Sequence, residues 1–208
     1  MNRSYTPPVR AAVLVPVKGF AAAKRRLAGV LSAEDRAALV RHMAARVIAA
    51  AAPLPVHVVC DDEAVATWAE EAGAQVLWRP GHGLNGAVAD GVASLAKLGV
   101  TDVLVAHADL PLAHDLAAAI RPGLITLVPD RHDDGTNVIA LPARLGFRFS
   151  YGPGSFRHHL AEARRHGLGV RVWRDPDLGY DVDLPGDLAL PALKEVLPWP
   201  PTSPASPA

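Results

Sequence analysis

A single cysteine, Cys60, stands in the 208 residues. That excludes an intrachain disulfide framework and a cysteine-rich metal site. Cys60 ends an apolar run and reads as a buried structural thiol. Aromatic residues are only 5% of the chain, and 21 basic residues are cancelled by 21 acidic ones. With no polybasic block, a nucleic-acid groove is disfavoured. An anionic substrate must therefore be caught by local geometry and not by net charge. The apolar runs are short and broken by Gly, Pro and charge, so no membrane span is expected. Residues 1–9 lack an apolar run of signal-peptide type, which makes the cytoplasm the expected compartment. Two common phosphate motifs are also missing. No Gly-x-Gly-x-x-Gly follows the first strand, and there is no Gly-x-x-x-x-Gly-Lys-[Ser/Thr].

What is present is 50% hydrophobic, enough for one well-buried domain. That domain is expected over residues 10–197, after an N-terminal extension at 1–9. The Pro- and Ser-rich stretch 198–208 is expected to be disordered. Continuous apolar runs predict strands at 11–17, 56–60, 75–78, 102–106, 123–128, 136–141 and 170–173. Between them the pattern predicts helices over 33–52, 61–72, 85–98, 112–120, 155–166 and 184–196. Ser32 and Ser155 are expected to be N-caps. Strands alternating with helices imply an α/β sheet covered on both faces. Ligands of such sheets bind beyond the carboxyl ends of the strands, where Lys18, Asp61, Asp109 and Thr136 fall.

Three groups of residues carry chemistry. Lys18, Lys24, Arg25 and Arg26 place four cations just after the first strand. Read alone, this is either a wrap for a triphosphate or a solvated basic loop. Asp109 follows the fourth strand, and Asp181 and Asp183 flank Val182, so on an extended chain they share a side. Such carboxylates suit Mg²⁺, which takes oxygen ligands and bridges to substrate phosphates; a solvated strand edge fits equally well. Without a counter-charge they are expected to repel, so neutralising one should spare or raise the stability of the metal-free chain. Third, Gly152-Pro-Gly-Ser155 breaks the chain and opens a helix. Free N–H groups at a helix start are suited to a phosphate or carboxylate. No convincing general base or nucleophile is present. His159 and Glu162 share a helical face, but there is no second His–Glu set to complete a metal site.

These stretches, with Gly83-Leu-Asn85, Asp109-Leu-Pro111, Gly135-Thr-Asn137 and Tyr180-Asp-Val-Asp183, resemble one family over about residues 11–190. It is the 2-phospho-L-lactate/phosphoenolpyruvate guanylyltransferases of coenzyme F420 biosynthesis. The resemblance implies a three-layer α/β/α nucleotidyltransferase fold, GT-A-like and Rossmann-like, with a mixed, mostly parallel sheet. It implies Mg²⁺ as cofactor, held by Asp109, Asp181 and Asp183. It places Lys24, Arg26 and Asp109 in catalysis. The nucleotide falls to Pro16, Lys18, Lys24, Asp61, Asn85 and Gly86. The acceptor falls to Thr136, Gly152 and Ser155. The implied reaction passes GMP from GTP to a small phosphorylated carboxylic acid and releases pyrophosphate. Ala- and Arg-rich usage leans towards phosphoenolpyruvate, with 2-phospho-L-lactate and 3-phosphoglycerate as alternatives. Partners are expected to be these small molecules, with no nucleic acid or membrane, and a homodimer is one expected assembly. A molybdopterin guanylyltransferase lacks support, because that family's Gly-Gly-rich first loop is replaced here by Lys18 to Arg26. A non-catalytic nucleotide-binding protein is the remaining alternative.

Overall fold

The computed structural model describes residues 10–20 and 23–193. The strands are β1 (Ala11–Pro16), β2 (Val56–Cys60), β3 (Gln75–Trp78), β4 (Asp102–Ala106), β5 (Leu124–Pro129), β6 (Thr136–Pro142) and β7 (Gly169–Val172). The helices are α1 (Ala33–Ala50), α2 (Glu63–Glu71), α3 (Gly83–Lys97) and α4 (Ser155–Arg165). One sheet holds all seven strands in the order β3-β2-β1-β4-β6-β5-β7. Strand β6 runs antiparallel to both its neighbours, and every other pairing is parallel. The expected mixed, mostly parallel α/β/α sandwich is therefore the fold.

Alternation along β1 divides the core. Val13 and Val15 face α1 and α2, packing with Leu39, Met43, Val47 and Val65. Ala12 and Leu14 face α3 and α4, packing with Val88, Leu95, Phe156 and Ala163. Both sides of β2 and β4 are buried, which is why those strands read as unbroken apolar runs. Ser32 caps α1 by accepting the Asp35 N–H at 3.0 Å, and Asp62 caps α2 through the Val65 N–H at 3.0 Å. No helix among the described residues is long and apolar enough to cross a membrane.

Three local expectations fail. Residues 112–120 form only a single 3-10 turn, Leu116–Ala119. Asp115 before it is left-handed at φ 30°, and Ile120 after it is extended, so no α-turn can propagate in either direction. Over 184–190 the expected helix is instead a 3-10 turn, Pro185–Ala189. Leu190 precedes Pro191 and is pushed to ψ 120°, which stops the helix there. Ser155 is not the cap of α4. Gly154 holds that place at φ 69°, and Ser155 is the first helical residue, 2% exposed. The expected extension at 1–9, the disorder at 198–208 and the last residues of the 184–196 helix lie outside the described residues.

Gly91 lets α3 lie against β1. A Cβ there would stand 2.8 Å from Leu14 Cδ2, inside the fully buried core. This close approach sets the first turn of α3 beside the end of β1. Gly91→Val should therefore overpack the interface and cost about 1–3 kcal/mol. A thermal melt should show the midpoint lowered by several degrees. An unchanged midpoint would mean that α3 has room to move off the sheet.

Candidate active site

Strands β1, β2 and β4 end together, at Pro16, Cys60 and Ala106. Their parallel register puts the following loops on one edge of the sheet. Because β6 is antiparallel, it begins on that same edge, with Val138 opposite Ala106 and Thr136 beyond it. A cleft of about 830 Å³ opens there. Pro16, Lys18, Lys24, Arg26, Asp61, Asp109 and Asp183 line it, with Gly83, Leu84 and Ala87 of α3 opposite.

Lys24 is the centre of the cleft. Its Nζ donates to Asp109 Oδ2 at 2.6 Å and to Asp183 Oδ1 at 2.7 Å. Its backbone is left-handed, φ 50°, at a cost of roughly 1–2 kcal/mol. That turn starts the 3-10 segment Arg25–Leu27, whose Leu27 is fully buried. Burial alone would lower the pKa of the ammonium, but the charges of Asp109 and Asp183 together outweigh it and raise it. Burial likewise works against ionisation of Asp109, yet Lys24, and then His107, hold its carboxyl below the usual range. Arg26 Nη1 lies farther out, 3.8 Å from Asp183 Oδ2, on a side chain 74% exposed.

A second arginine organises the far carboxylates. Arg131 Nη1 donates to the Asp181 carbonyl at 2.8 Å, and its Nη2 to Asp187 Oδ1 at 2.5 Å. Asp187 Oδ2 accepts the N–H groups of Asp183 and Leu184 at 2.8 and 2.7 Å. The turn that presents Asp183 is thus held from behind. The Asp181 carboxylate is held less closely, its Oδ1 3.9 Å from Arg131 Nη1. Burial and then repulsion from Asp109 raise its pKa.

Asp109 Oδ1 is buried and has no hydrogen-bond partner. A buried carboxylate oxygen left without a partner suits a hard divalent cation such as Mg²⁺. The Lys24 ammonium stands between Asp109 and Asp183. Among the described residues the one group of three ligating side chains within 4.8 Å is elsewhere, at His114, Asp175 and Asp177. Asp175 Oδ1 there is already taken by the N–H groups of Asp177 and Leu178.

Beside the cleft lies a second polar cluster. Thr136 Oγ1 is 3.0 Å from His159 Nδ1 and 3.4 Å from Ser155 Oγ. All three residues are buried. The N–H groups at the start of α4 are partly taken. Gly154 donates to the Asp134 carboxylate at 3.2 Å, and Phe156 to the Asp134 carbonyl at 2.9 Å. Asn85 joins this cluster to α3. Its Oδ1 accepts the Tyr151 N–H at 2.6 Å and its Nδ2 donates to the Tyr151 carbonyl at 3.2 Å.

Of the residues singled out in the sequence, Pro16, Lys18, Lys24, Arg26, Asp61, Asp109 and Asp183 meet in the cleft. Thr136 and Ser155 meet each other beside it, and Gly152, at φ 131°, accepts the Ser155 N–H on its carbonyl at 3.0 Å. Asn85, Gly86 and Asp181 do not line the cleft, and the Asn85 amide is spent on Tyr151. Arg79, unanticipated, and His107, expected only as a structural neighbour of the fourth strand, line it as well. Arg79 is visible only as the lone cation after β3. His107 is two residues from Asp109, its Nδ1 3.9 Å from Asp109 Oδ1.

The expectation that removing a metal-site carboxylate spares the fold fails for Asp109, because Lys24 already supplies the counter-charge. Asp109→Asn and Lys24→Met should each destabilise the metal-free chain by about 1–3 kcal/mol, less than a fully buried pair because Asp183 is half exposed. The depressed Asp109 pKa gives stability present above the usual carboxylate range and lost as pH falls through the lowered value. The raised Lys24 pKa gives stability present below its usual value of 10.5 and lost at higher pH. Melts without metal or nucleotide should show both variants below wild type at neutral pH. A wild-type midpoint for Lys24→Met would remove the ion pair from this description.

A family profile described as "Guanylyl transferase CofC like" matches residues 11–193. A phosphoenolpyruvate guanylyltransferase of Rubrobacter xylanophilus is 40% identical over 185 residues, covering 85% of this chain and 90% of the relative. One from Sphaerobacter thermophilus is 38% identical over 184 residues, covering 84% and 89%. Among solved structures, a nucleotidyl transferase from Methanothermobacter thermautotroptrophicus superposes with a TM-score of 0.65 at 15% identity, covering 90% of this chain and 98% of that one. At that identity the structural likeness speaks for the fold, and the sequence matches speak for the family. The chain is a member of the CofC-like guanylyl transferase family.

Proposed function

We propose that this protein transfers GMP from GTP to the phosphate of phosphoenolpyruvate, as a step of coenzyme F420 biosynthesis. The observation that carries the reading is the Lys24–Asp109–Asp183 cluster in a cleft at the strand ends, next to the Thr136–Ser155 hydroxyls. The names of the relatives supply the acceptor. A phosphate oxygen of the acceptor forms a new bond to the α-phosphorus of GTP. The bond from that phosphorus to the bridging oxygen breaks, and pyrophosphate leaves with the electron pair. The acceptor phosphate is ionised near neutral pH, so no side-chain base is needed. What the protein supplies is alignment and charge neutralisation.

Asp109, Asp181 and Asp183 would hold Mg²⁺, which supplies positive charge to the phosphates as negative charge shifts onto the leaving group. The orphaned Asp109 oxygen and the all-oxygen donor set fit that ion. Lys24 is poised to pass from its two carboxylates to the triphosphate. Exposed Arg26 and Lys18 extend the same cationic wall. Pro16 and Asp61 flank the nucleoside side of the cleft. Asn85 and Gly86 act from α3, Asn85 by fixing the Tyr151 backbone that leads into Gly152. Thr136, Gly152 and Ser155 receive the acceptor's anionic groups.

Thr136→Val and Ser155→Ala should each raise the KM for phosphoenolpyruvate about tenfold or more, the effect of losing a hydrogen bond to a charged group. The KM for GTP should stay within about threefold, less than roughly 1 kcal/mol. Since Ser155 is not the cap of α4, the Ser155→Ala fold should be nearly intact. Steady-state pyrophosphate release reads both constants. Equal changes in the two KM values would separate these hydroxyls from the acceptor and overturn the site assignment.

A further inference from the structure

His159 is fully buried on α4, and neither ring nitrogen is idle. Nε2 lies 2.8 Å from the Ser150 backbone nitrogen. A backbone N–H can only donate, so Nε2 must accept and carries no proton. The neutral ring then bears its proton on Nδ1, which donates to Thr136 Oγ1 at 3.0 Å. Burial first, and then the charges of His107 and His158, push the imidazole pKa down to about 4, so the ring is neutral at physiological pH.

The tautomer fixes what the two hydroxyls can do. Thr136 and Ser155 own two hydroxyl protons. At most one is spent between them, across 3.4 Å. Neither hydroxyl donates to a carbonyl or carboxylate among the described residues. Since His159 donates into Thr136 and cannot accept from it, at least one hydroxyl proton remains unspent. The opposite tautomer would consume both, Ser155 to Thr136 and Thr136 to His159. We infer that His159 is a positioning residue: by holding its proton on Nδ1 it makes the Thr136–Ser155 pair a net hydrogen-bond donor towards the anionic group of the acceptor.

This role rests on the reading that the acceptor binds at Thr136 and Ser155, and it adds a cause for that pair's preference for anions. A phosphate or carboxylate offers only acceptor oxygens and needs outward protons. Ser150 is the far end of the relay. The segment that it opens, Ser150 to Gly154, leads into Ser155, whose N–H donates to the Gly152 carbonyl at 3.0 Å, so one ring bonds both to this loop and to the hydroxyl pair.

Two amides separate the two bonds of the ring. In His159→Asn the amide nitrogen reaches the level of Nδ1 and keeps the donation to Thr136. In His159→Gln the amide oxygen reaches the level of Nε2 and keeps only the bond from Ser150. The KM for phosphoenolpyruvate should rise roughly tenfold in His159→Gln and stay within about threefold of wild type in His159→Asn, the former being the loss of a donor to a charged group. The KM for GTP should be unchanged in both. If the two variants shift the phosphoenolpyruvate KM equally, or in step with their melting temperatures, His159 is only structural and the inference is wrong. Histidine ring ¹⁵N spectra of the wild-type protein read the tautomer without any substitution. They should show His159 protonated on Nδ1, and protonation on Nε2 would overturn the inference outright. Thr136→Val is the control for the underlying reading. If it leaves the phosphoenolpyruvate KM unchanged, the acceptor assignment fails and this role falls with it. If it raises that KM while the Asn and Gln variants stay alike, the inference alone fails.

Discussion

The ammonium of Lys24 between Asp109 and Asp183 is the contact on which the cleft depends. It joins three loops distant in sequence, after β1, after β4 and before the last turn. Three carboxylates converge on this end of the sheet, and together they would repel. One cation, held by a strained left-handed backbone, lets two of them lie close together. The same charge is the one a triphosphate would draw away, so the resting pair and the working site compete for a single side chain.

The sheet explains why these loops meet. Parallel β1, β2 and β4 deliver Lys18, Asp61 and Asp109 to one edge. A single antiparallel strand, β6, adds Thr136 to that edge from the opposite chain direction. The cleft and the Thr136–Ser155 hydroxyls therefore share one rim. Asn85 ties the two sides by clamping the Tyr151 backbone from α3.

Much of this was legible in the sequence, for physical reasons. Strands buried on both faces read as unbroken apolar runs, so β1, β2 and β4 were placed within a residue or two. Side chains after those strands fall on the ligand edge of any such sheet, which is why Lys18, Asp61 and Asp109 stood out. Contacts across 85 and 159 residues, such as those of Lys24, leave no local pattern. Nor does a tautomer: His159 looks like half of a metal motif until Ser150 and Thr136 are seen on its two nitrogens. The expected helices at 112–120 and over the described start of 184–196 came from apolar composition. A left-handed Asp115 and the Leu190-Pro191 step overrode it. Ser155 resembled a cap because serine caps are common, while Gly154 took that place through a backbone angle that glycine reaches readily.

The central claim is the identity of the transfer. The purified chain would be incubated with GTP, Mg²⁺ and, separately, phosphoenolpyruvate, 2-phospho-L-lactate or 3-phosphoglycerate, and the products weighed by mass spectrometry. The account predicts a new species with phosphoenolpyruvate, guanosine and enolpyruvate joined through a diphosphate, formed in equal amount with pyrophosphate. GTP left intact, or merely hydrolysed, with phosphoenolpyruvate present would contradict it. A product formed with one of the other two acids alone would keep the guanylyl transfer and contradict the acceptor.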